Sequence, residues 1–208
     1  MGVTVPTHRR LPRGRHALPP DEVARTQRAR LFLAMAQAMS RQGFAATSVG
    51  DVLKLAGVSR QTFYQLFSSK LDCFMATFDA ATELLEARLN EAVEGAGTPL
   101  ERFERAIDAY VTSLASEPGY ARLFLVEAHA AGPEAITRRL QFQYRLADRI
   151  AGLFDSGSED ARFACRTIAA AVASMVVGPL LDDDPEGLRQ LAADMTRHVR
   201  RLSECGVL

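Results

Sequence analysis

Residues 48–70 read SVGDVLKLAGVSRQTFYQLFSSK, a pattern of two short helices joined at a glycine. Ser48, followed three residues later by Asp51, is a capping-box start for the first helix. Gly57 can adopt the positive φ that ends a helix, and Ser59 can cap the helix that follows. The stretch therefore predicts a helix-turn-helix.

The second of these helices has one apolar and one polar face. Phe63 and Phe67, four residues apart, are predicted to face inward. Outward-facing side chains at its start can hydrogen-bond to base edges or phosphates in a DNA major groove. These outward-facing residues are Arg60, Gln61, Tyr64 and Gln65. Helix pairs with a glycine turn also occur in proteins that do not bind DNA, so the turn alone leaves both interpretations open.

The wider segment, from about Arg25 to Phe78, resembles the DNA-binding domain of TetR-type transcriptional repressors. Upstream, residues 30–44 resemble that family's first helix, which ends at a glycine. Downstream, Ser69–Asp72 forms a second capping-box start, which would open a long linking helix. The motifs that carry the resemblance are Thr47-Ser-Val, Ala56-Gly-Val-Ser, Thr62-Phe-Tyr and Phe67-Ser-Ser-Lys70.

The resemblance implies roles for individual side chains. Base-edge contacts would come from Arg60, Gln61, Tyr64 and Gln65. Arginine side chains pair well with guanine, and glutamine side chains pair well with adenine. Phosphate contacts would come from Ser48, Thr62, Tyr64 and Lys70. For Ser59 a capping role is expected in preference to a DNA contact.

Charge is divided unevenly along a chain whose net charge is zero. Residues 1–70 hold 11 Lys and Arg against 3 Asp and Glu, which leaves 14 against 22 for residues 71–208. A basic segment that coincides with a helix-turn-helix favours attraction to a phosphate backbone, although a chance fluctuation of surface charge is the alternative.

The domain prediction has three parts: a poorly ordered basic tail at residues 1–20, a helix-turn-helix domain at 21–70, and a helical ligand-binding and dimerisation domain at 71–208. Four prolines favour an extended tail. Its Arg13 and Arg15 could enter a minor groove as homeodomain arms do, and a solvated leader without function is the alternative.

The rest of the chain predicts an all-α, TetR-like fold. Breaks between apolar-periodic segments fall on glycine or proline, and no run alternates β-branched residues. The expected helices cover residues 21–42, 69–94, 99–116, 120–130, 133–154 and 159–177, with a last helix carrying Leu188 to Leu202.

Residues 168–177 are apolar or small nearly all the way round, which favours burial on more than one side. Pairing of the last two helices with their copies in a second chain would form a four-helix interface, an arrangement that the resemblance implies. The predicted homodimer interface comprises Ile168, Val172, Met175, Leu188, Leu191, Met195 and Val199.

The resemblance also implies a small molecule enclosed by the C-terminal domain. A mainly apolar cavity with a few polar anchors is the usual form of such a site, and plain core packing is the alternative for each position. The candidate lining residues are Phe103, Tyr110, Leu114, Leu123, Glu127, Phe142, Leu146 and Met175. The implied function is a dimeric repressor released from a palindromic double-stranded DNA operator by a small, mostly apolar effector.

Other classes of function lack support in the sequence. The four histidines lie far apart, no catalytic motif occurs, and the three cysteines lack the spacing of a zinc site, so we expect no enzyme, metal or cofactor. The cysteine usage indicates a reducing cytoplasm. The longest apolar run, Ile168–Leu181, is shorter than the about 20 residues that span a bilayer, so no membrane contact is expected.

A competing interpretation is a helical interaction protein with a vestigial helix-turn-helix and no ligand-controlled DNA binding. Gly50 and Leu66 support it, because the family commonly has a polar side chain and a histidine at these two positions.

Overall fold

The computed structural model describes residues 19–155 and 157–208, and none of these lies in a β-strand. The predicted all-α class is confirmed. Arg13 and Arg15, the predicted minor-groove arm, lie outside the described residues. The N-terminal helices are α1 (Pro20–Ala46), α2 (Val49–Ala56), α3 (Arg60–Leu66) and α4 (Lys70–Val93).

The predicted helix-turn-helix is present, with both of its caps. The Ser48 hydroxyl accepts the Asp51 N–H at 3.2 Å, and the Asp51 carboxylate accepts the Ser48 N–H at 2.8 Å. Gly57 ends α2 with φ 61°, and the Ser59 hydroxyl accepts the Thr62 N–H at 3.0 Å. These local contacts determine where α2 and α3 begin and end.

The second predicted capping box forms only in part. Ser69 caps α4 by accepting the Asp72 N–H at 3.0 Å. The Asp72 carboxylate, however, accepts the N–H and the hydroxyl of Ser68 instead of the Ser69 N–H. The reciprocal bond is thus displaced by one residue.

The core of the N-terminal part forms where α1 crosses the other helices. Phe63 and Phe67 are buried as predicted, with ring centroids 5.8 Å apart. They share one apolar core with Leu31 and Met35 of α1 and with Phe74 of α4. Burial of side chains of this size contributes roughly 1.5–3 kcal/mol each, so this packing holds α3 in place.

Helix α1 is longer than predicted and is interrupted near its end. Gly43 has φ 73° and ψ 175°, a non-helical conformation, and the helix resumes for one short turn to Ala46. This conformation is almost exclusive to glycine. The predicted end at residue 42 therefore marks the break.

The remaining helices form the C-terminal part of the fold. Their bounds are α5 (Pro99–Ser116), α6 (Pro118–Arg122), α7 (Ala128–Ala131), α8 (Pro133–Leu153), α9 (Glu159–Met175), α10 (Val177–Leu181) and α11 (Pro185–Glu204). Helices α5 and α8 end within one residue of their predicted limits, while the expected 120–130 helix is split by a π-helical turn at Leu123–Glu127. Helix α5 packs between α4 and α11, and α8 packs on α9.

Most residues of the predicted dimer interface face the core of their own chain. Six of its seven residues are buried within the single chain, and Met175 alone is exposed. The six buried residues are Ile168, Val172, Leu188, Leu191, Met195 and Val199. An apolar pattern shows that a helix has a buried face but does not say whether that face meets its own chain or a second one.

The outer side of α9 and α10 carries a different stripe of exposed residues at steps of three and four. Large apolar residues stand at its two ends, and small residues lie between them. Phe163 is 64% exposed and Leu181 is 45% exposed, and Met175, which follows Ser174 in the chain, is also exposed. This α9 stripe consists of Phe163, Thr167, Ala170, Ser174, Gly178 and Leu181.

The segment Glu159–Leu181 is 23 residues long and contains an 18-residue window with a mean hydropathy of 1.7, so by length and composition it could cross a membrane. The apolar run that the sequence analysis considered is part of this longer helical segment. Buried helices of folded domains pass the same test, and 39% of this window is buried in the fold. The test is therefore weak evidence for a membrane span.

Candidate functional site

Helix α3 presents its polar face to solvent. The aromatic ring of Tyr64 is half exposed and packs edge-on against Phe63, with ring centroids 5.3 Å apart. Because Phe63 and Phe67 occupy the buried face, the polar side chains of α3 project away from the core. The exposed residues of this face are Arg60, Gln61, Tyr64 and Gln65, as predicted.

Two of the predicted phosphate contacts are engaged in helix caps. The Ser48 hydroxyl donates to the Asp51 carboxylate at 2.7 Å, so its single proton already has an acceptor. The Thr62 hydroxyl lies 2.9 Å from the Ser59 hydroxyl. A phosphate bound here would have to compete with these bonds.

Lys70, predicted to contact phosphate, has partners within the chain. Its ammonium donates to the carbonyl oxygens of Phe44 and Thr47, both at 2.8 Å, and lies 4.0 Å from the centre of the Phe44 ring. These carbonyls belong to the end of α1, where helical partners are missing. Lys70 therefore acts as a positioning residue that ties α4 to α1.

Glu127, predicted as a ligand anchor, meets the break in α1. Its carboxylate accepts the Phe44 N–H at 2.7 Å. A Cβ placed on Gly43 would lie 2.9 Å from the same carboxylate, so a side chain at this position would force the carboxylate to shift. We name Gly43, Phe44, Lys70 and Glu127 the α1 clasp, because it joins the helix-turn-helix to α4 and to the C-terminal part.

The capping box of α2 predicts a pH dependence. Hydrogen bonds from the Ser48 hydroxyl and the Ser48 N–H lower the pKa of Asp51 below its ordinary value of 3.8. The stabilisation is therefore complete above the unfolded-state pKa and is lost as the pH falls through the lower folded-state pKa.

We accordingly expect Asp51→Asn to lower the melting temperature at neutral pH. The gap from the wild type should shrink in acid, because the wild-type carboxyl is then protonated too. Circular dichroism melts of both proteins at several acidic pH values measure this gap. A gap that stays constant to about pH 2, well below the usual carboxyl range, would show that the charge of Asp51 contributes nothing.

A mostly apolar cavity of about 210 Å³ lies between α4, α5, α8 and α9. Of the predicted ligand residues, Phe103, Tyr110 and Leu146 lie on its wall. The others are placed elsewhere. Glu127 is in the α1 clasp, Met175 is exposed, and Leu114, Leu123 and Phe142 pack in the core away from the cavity wall.

Sequence reasoning missed the α4 side of this cavity and, apart from Leu146, its α8 side. The i, i+3, i+4, i+7 spacing of Leu146, Arg149, Ile150 and Leu153 was the available signal on α8. Val172, predicted at the dimer interface, also lies on the wall. The missed wall residues include Leu89, Asn90, Val93, Arg149, Ile150 and Leu153.

Tyr110 is the buried polar group of the cavity wall. It is 4% exposed and lies on the wall. Burial raises the pKa of its hydroxyl, with the charge of Arg139 opposing the shift, so the group is protonated at neutral pH.

Two sequence models of one regulator family match the chain. The model described as bacterial regulatory proteins, tetR family, matches residues 33–77. The model described as the tetracyclin repressor-like C-terminal domain matches residues 96–183. The first match contains the helix-turn-helix, and the second extends from α5 to α10.

Two regulators of Mycolicibacterium smegmatis are similar in sequence. The HTH-type transcriptional regulator EthR is 32% identical over 143 residues, which cover 68% of this chain and 61% of EthR. The HTH-type transcriptional activator FasR is 25% identical over 162 residues, 77% of this chain and 71% of FasR. The chain thus matches less than two thirds of the length of EthR.

Solved structures share the fold at lower sequence identity. The fatty acid degradation regulator FadR from Bacillus halodurans has a TM-score of 0.72 at 18% identity, over 82% of this chain and 93% of that one. FadR from Bacillus subtilis, solved in complex with stearoyl-CoA, has a TM-score of 0.68 at 19% identity, over 81% and 95% of the two chains.

Proposed function

Because this chain belongs to the TetR family of DNA-binding transcriptional regulators, we propose that it is a dimeric repressor that a small ligand releases from its operator. Ligand-responsive repression is typical of the family. The polar, exposed face of α3 carries the proposal, since buried Phe63 and Phe67 hold that face outward. The alternative of a vestigial helix-turn-helix is not favoured.

In this proposal Arg60, Gln61, Tyr64 and Gln65 contact base edges in the major groove. A two-fold dimer presents α3 twice, so the operator is a near-palindrome with half-sites about one DNA turn, or a multiple of it, apart. The α9 stripe supports dimerisation, because an exposed stripe with small residues at its centre lets two helices approach closely.

Function is divided along the chain as follows. Residues 21–70 bind DNA, and residues 71–208 bind the ligand and the second subunit. Regulators of this family are soluble DNA-binding proteins. We accordingly propose that the protein acts in the cytoplasm, without catalytic activity and without a membrane partner.

The cavity between α4, α5, α8 and α9 is the proposed effector site. Its mainly apolar wall suits an apolar ligand. The complex of the Bacillus subtilis FadR with stearoyl-CoA supports acyl compounds as the first ligands to test.

We expect Arg60→Ala to weaken operator binding by at least about tenfold, because a bidentate arginine–guanine pair contributes about 1–3 kcal/mol and is present in both half-sites. Fluorescence anisotropy with a duplex selected from a random pool measures this. Arg189→Ala is the control, since Arg189 is exposed on α11 and paired with Glu186.

The salt dependence of binding provides a second criterion. A DNA-binding regulator loses affinity steeply as the salt concentration rises, whereas a vestigial helix-turn-helix does not. If Arg60→Ala bound the selected duplex as the wild type does, and if salt had no effect, α3 would not read DNA.

A further inference from the structure

Helices α4 and α8 are joined by long charged side chains, while their backbones make few close contacts. Arg138 donates to Asp79 at 2.7 Å, and Arg145 donates to Glu86 at 2.8 Å. Each pair is 59 residues apart, which requires the two helices to run in the same direction. We name this region the α4–α8 seam.

The C-terminal end of the seam has more positive than negative charge. Glu86 accepts from Arg145 through one carboxylate oxygen and from Arg149 through the other, the latter at 3.2 Å. The second partner of Arg149 is the neutral amide oxygen of Asn90. Two guanidinium groups therefore share one carboxylate.

The same end of the seam forms part of the cavity wall. Asn90 and Arg149 both line the cavity, and the Arg149 side chain is 34% exposed, so this wall extends to the surface. The Glu86 side chain is 19% exposed, so its carboxylate and the two guanidinium groups beside it are partly shielded from water. An apolar space thus adjoins a surplus positive charge.

We infer that the cavity binds an anionic amphiphile, whose apolar chain fills the cavity and whose negative headgroup replaces Glu86 as the partner of Arg149. This inference rests on the proposed effector site. Glu86 holds the place of the ligand headgroup in the empty protein. Its displacement breaks the Glu86–Arg149 bridge between α4 and α8, and α4 leads directly to the helix-turn-helix.

A free fatty acid and an acyl-CoA share this chemistry, so both are tested. Isothermal titration calorimetry without DNA compares decanoate, decanoyl-CoA and coenzyme A with decanol, which has the same chain but no charge. We expect decanoate or decanoyl-CoA to bind at least about tenfold more tightly than decanol, the difference that one charge-assisted hydrogen bond provides. Coenzyme A alone should bind weakly.

Three variants separate a headgroup site from ordinary structural pairing. Arg149→Met should remove the preference for the anion and leave decanol binding unchanged. Glu86→Gln should tighten binding of the preferred anion by several-fold, because the competing carboxylate is gone. Asp79→Asn is the matched control, since neither Asp79 nor Arg138 lines the cavity, and it should change no ligand affinity.

Equal binding of the anions and decanol would overturn the inference while leaving the apolar effector site standing. Decanol binding that is tighter than anion binding would also overturn it. So would anion binding that is weaker in Glu86→Gln than in the wild type. Operator binding by the ligand-free protein is measured separately. A protein that does not bind DNA is therefore distinguishable from one whose cavity shows no preference for an anionic headgroup.

Discussion

Phe163→Arg is expected to separate the dimer into folded monomers. Phe163 is 64% exposed in the single chain, so the substitution removes nothing from the monomer core. In a two-fold interface through the α9 stripe, the new charges would be buried without partners in both subunits, which costs several kcal/mol. Light scattering measures the mass, and operator affinity should fall because each monomer holds one half-site.

Met195→Arg is the matched variant, with the same new side chain on a buried face. Met195 is 6% exposed and belongs to the apolar core, so burying a charge there should destabilise the fold by about 3 kcal/mol or more. Chemical denaturation monitored by circular dichroism measures the loss.

The two variants distinguish the interface predicted from sequence from the α9 stripe. The sequence-based interface predicts folded monomers for Met195→Arg and no effect for Phe163→Arg. If Phe163→Arg remained a dimer with wild-type operator affinity, the second subunit would have to contact another surface.

Gly43→Ala is expected to weaken both the fold and operator binding through the α1 clasp. Gly43 has φ 73° and ψ 175°. For a residue with a side chain, this backbone conformation is unfavourable by about 1–3 kcal/mol. The new Cβ would also lie 2.9 Å from the Glu127 carboxylate and push it away from the Phe44 N–H. A lost bond to a part-buried donor adds about 1–3 kcal/mol.

Gly132→Ala separates backbone strain from the collision. Gly132 has φ 107° and ψ −172°, and a Cβ there would meet nothing within 4 Å. This variant should bear the backbone cost alone and keep wild-type operator affinity. Urea denaturation and anisotropy with the selected operator measure both quantities for each variant.

Glu127→Gln gives a further test, because glutamine keeps an acceptor for the Phe44 N–H at nearly the same volume. It should retain more operator affinity than Glu127→Ala. Equal losses of stability in Gly43→Ala and Gly132→Ala, with unchanged operator affinity in both, would show that the Glu127 contact does not position α1.

The sequence by itself determined the elements whose causes are local. The caps at Ser48 and Ser59 and the turn at Gly57 depend on residues within four positions of one another, so they could be read directly. The outward face of α3 followed from the spacing of Phe63 and Phe67. Glycine and proline likewise marked most helix ends in the C-terminal part.

The tertiary structure alone decided what the buried faces pack against. Lys70 contacts Phe44 across 26 residues, and Glu127 contacts it across 83, distances over which sequence periodicity carries no information. The inner faces of α9 and α11, read as a dimer interface, pack on their own chain. A helical pattern records how much apolar surface must be buried, whereas the packing of the whole chain determines what buries it.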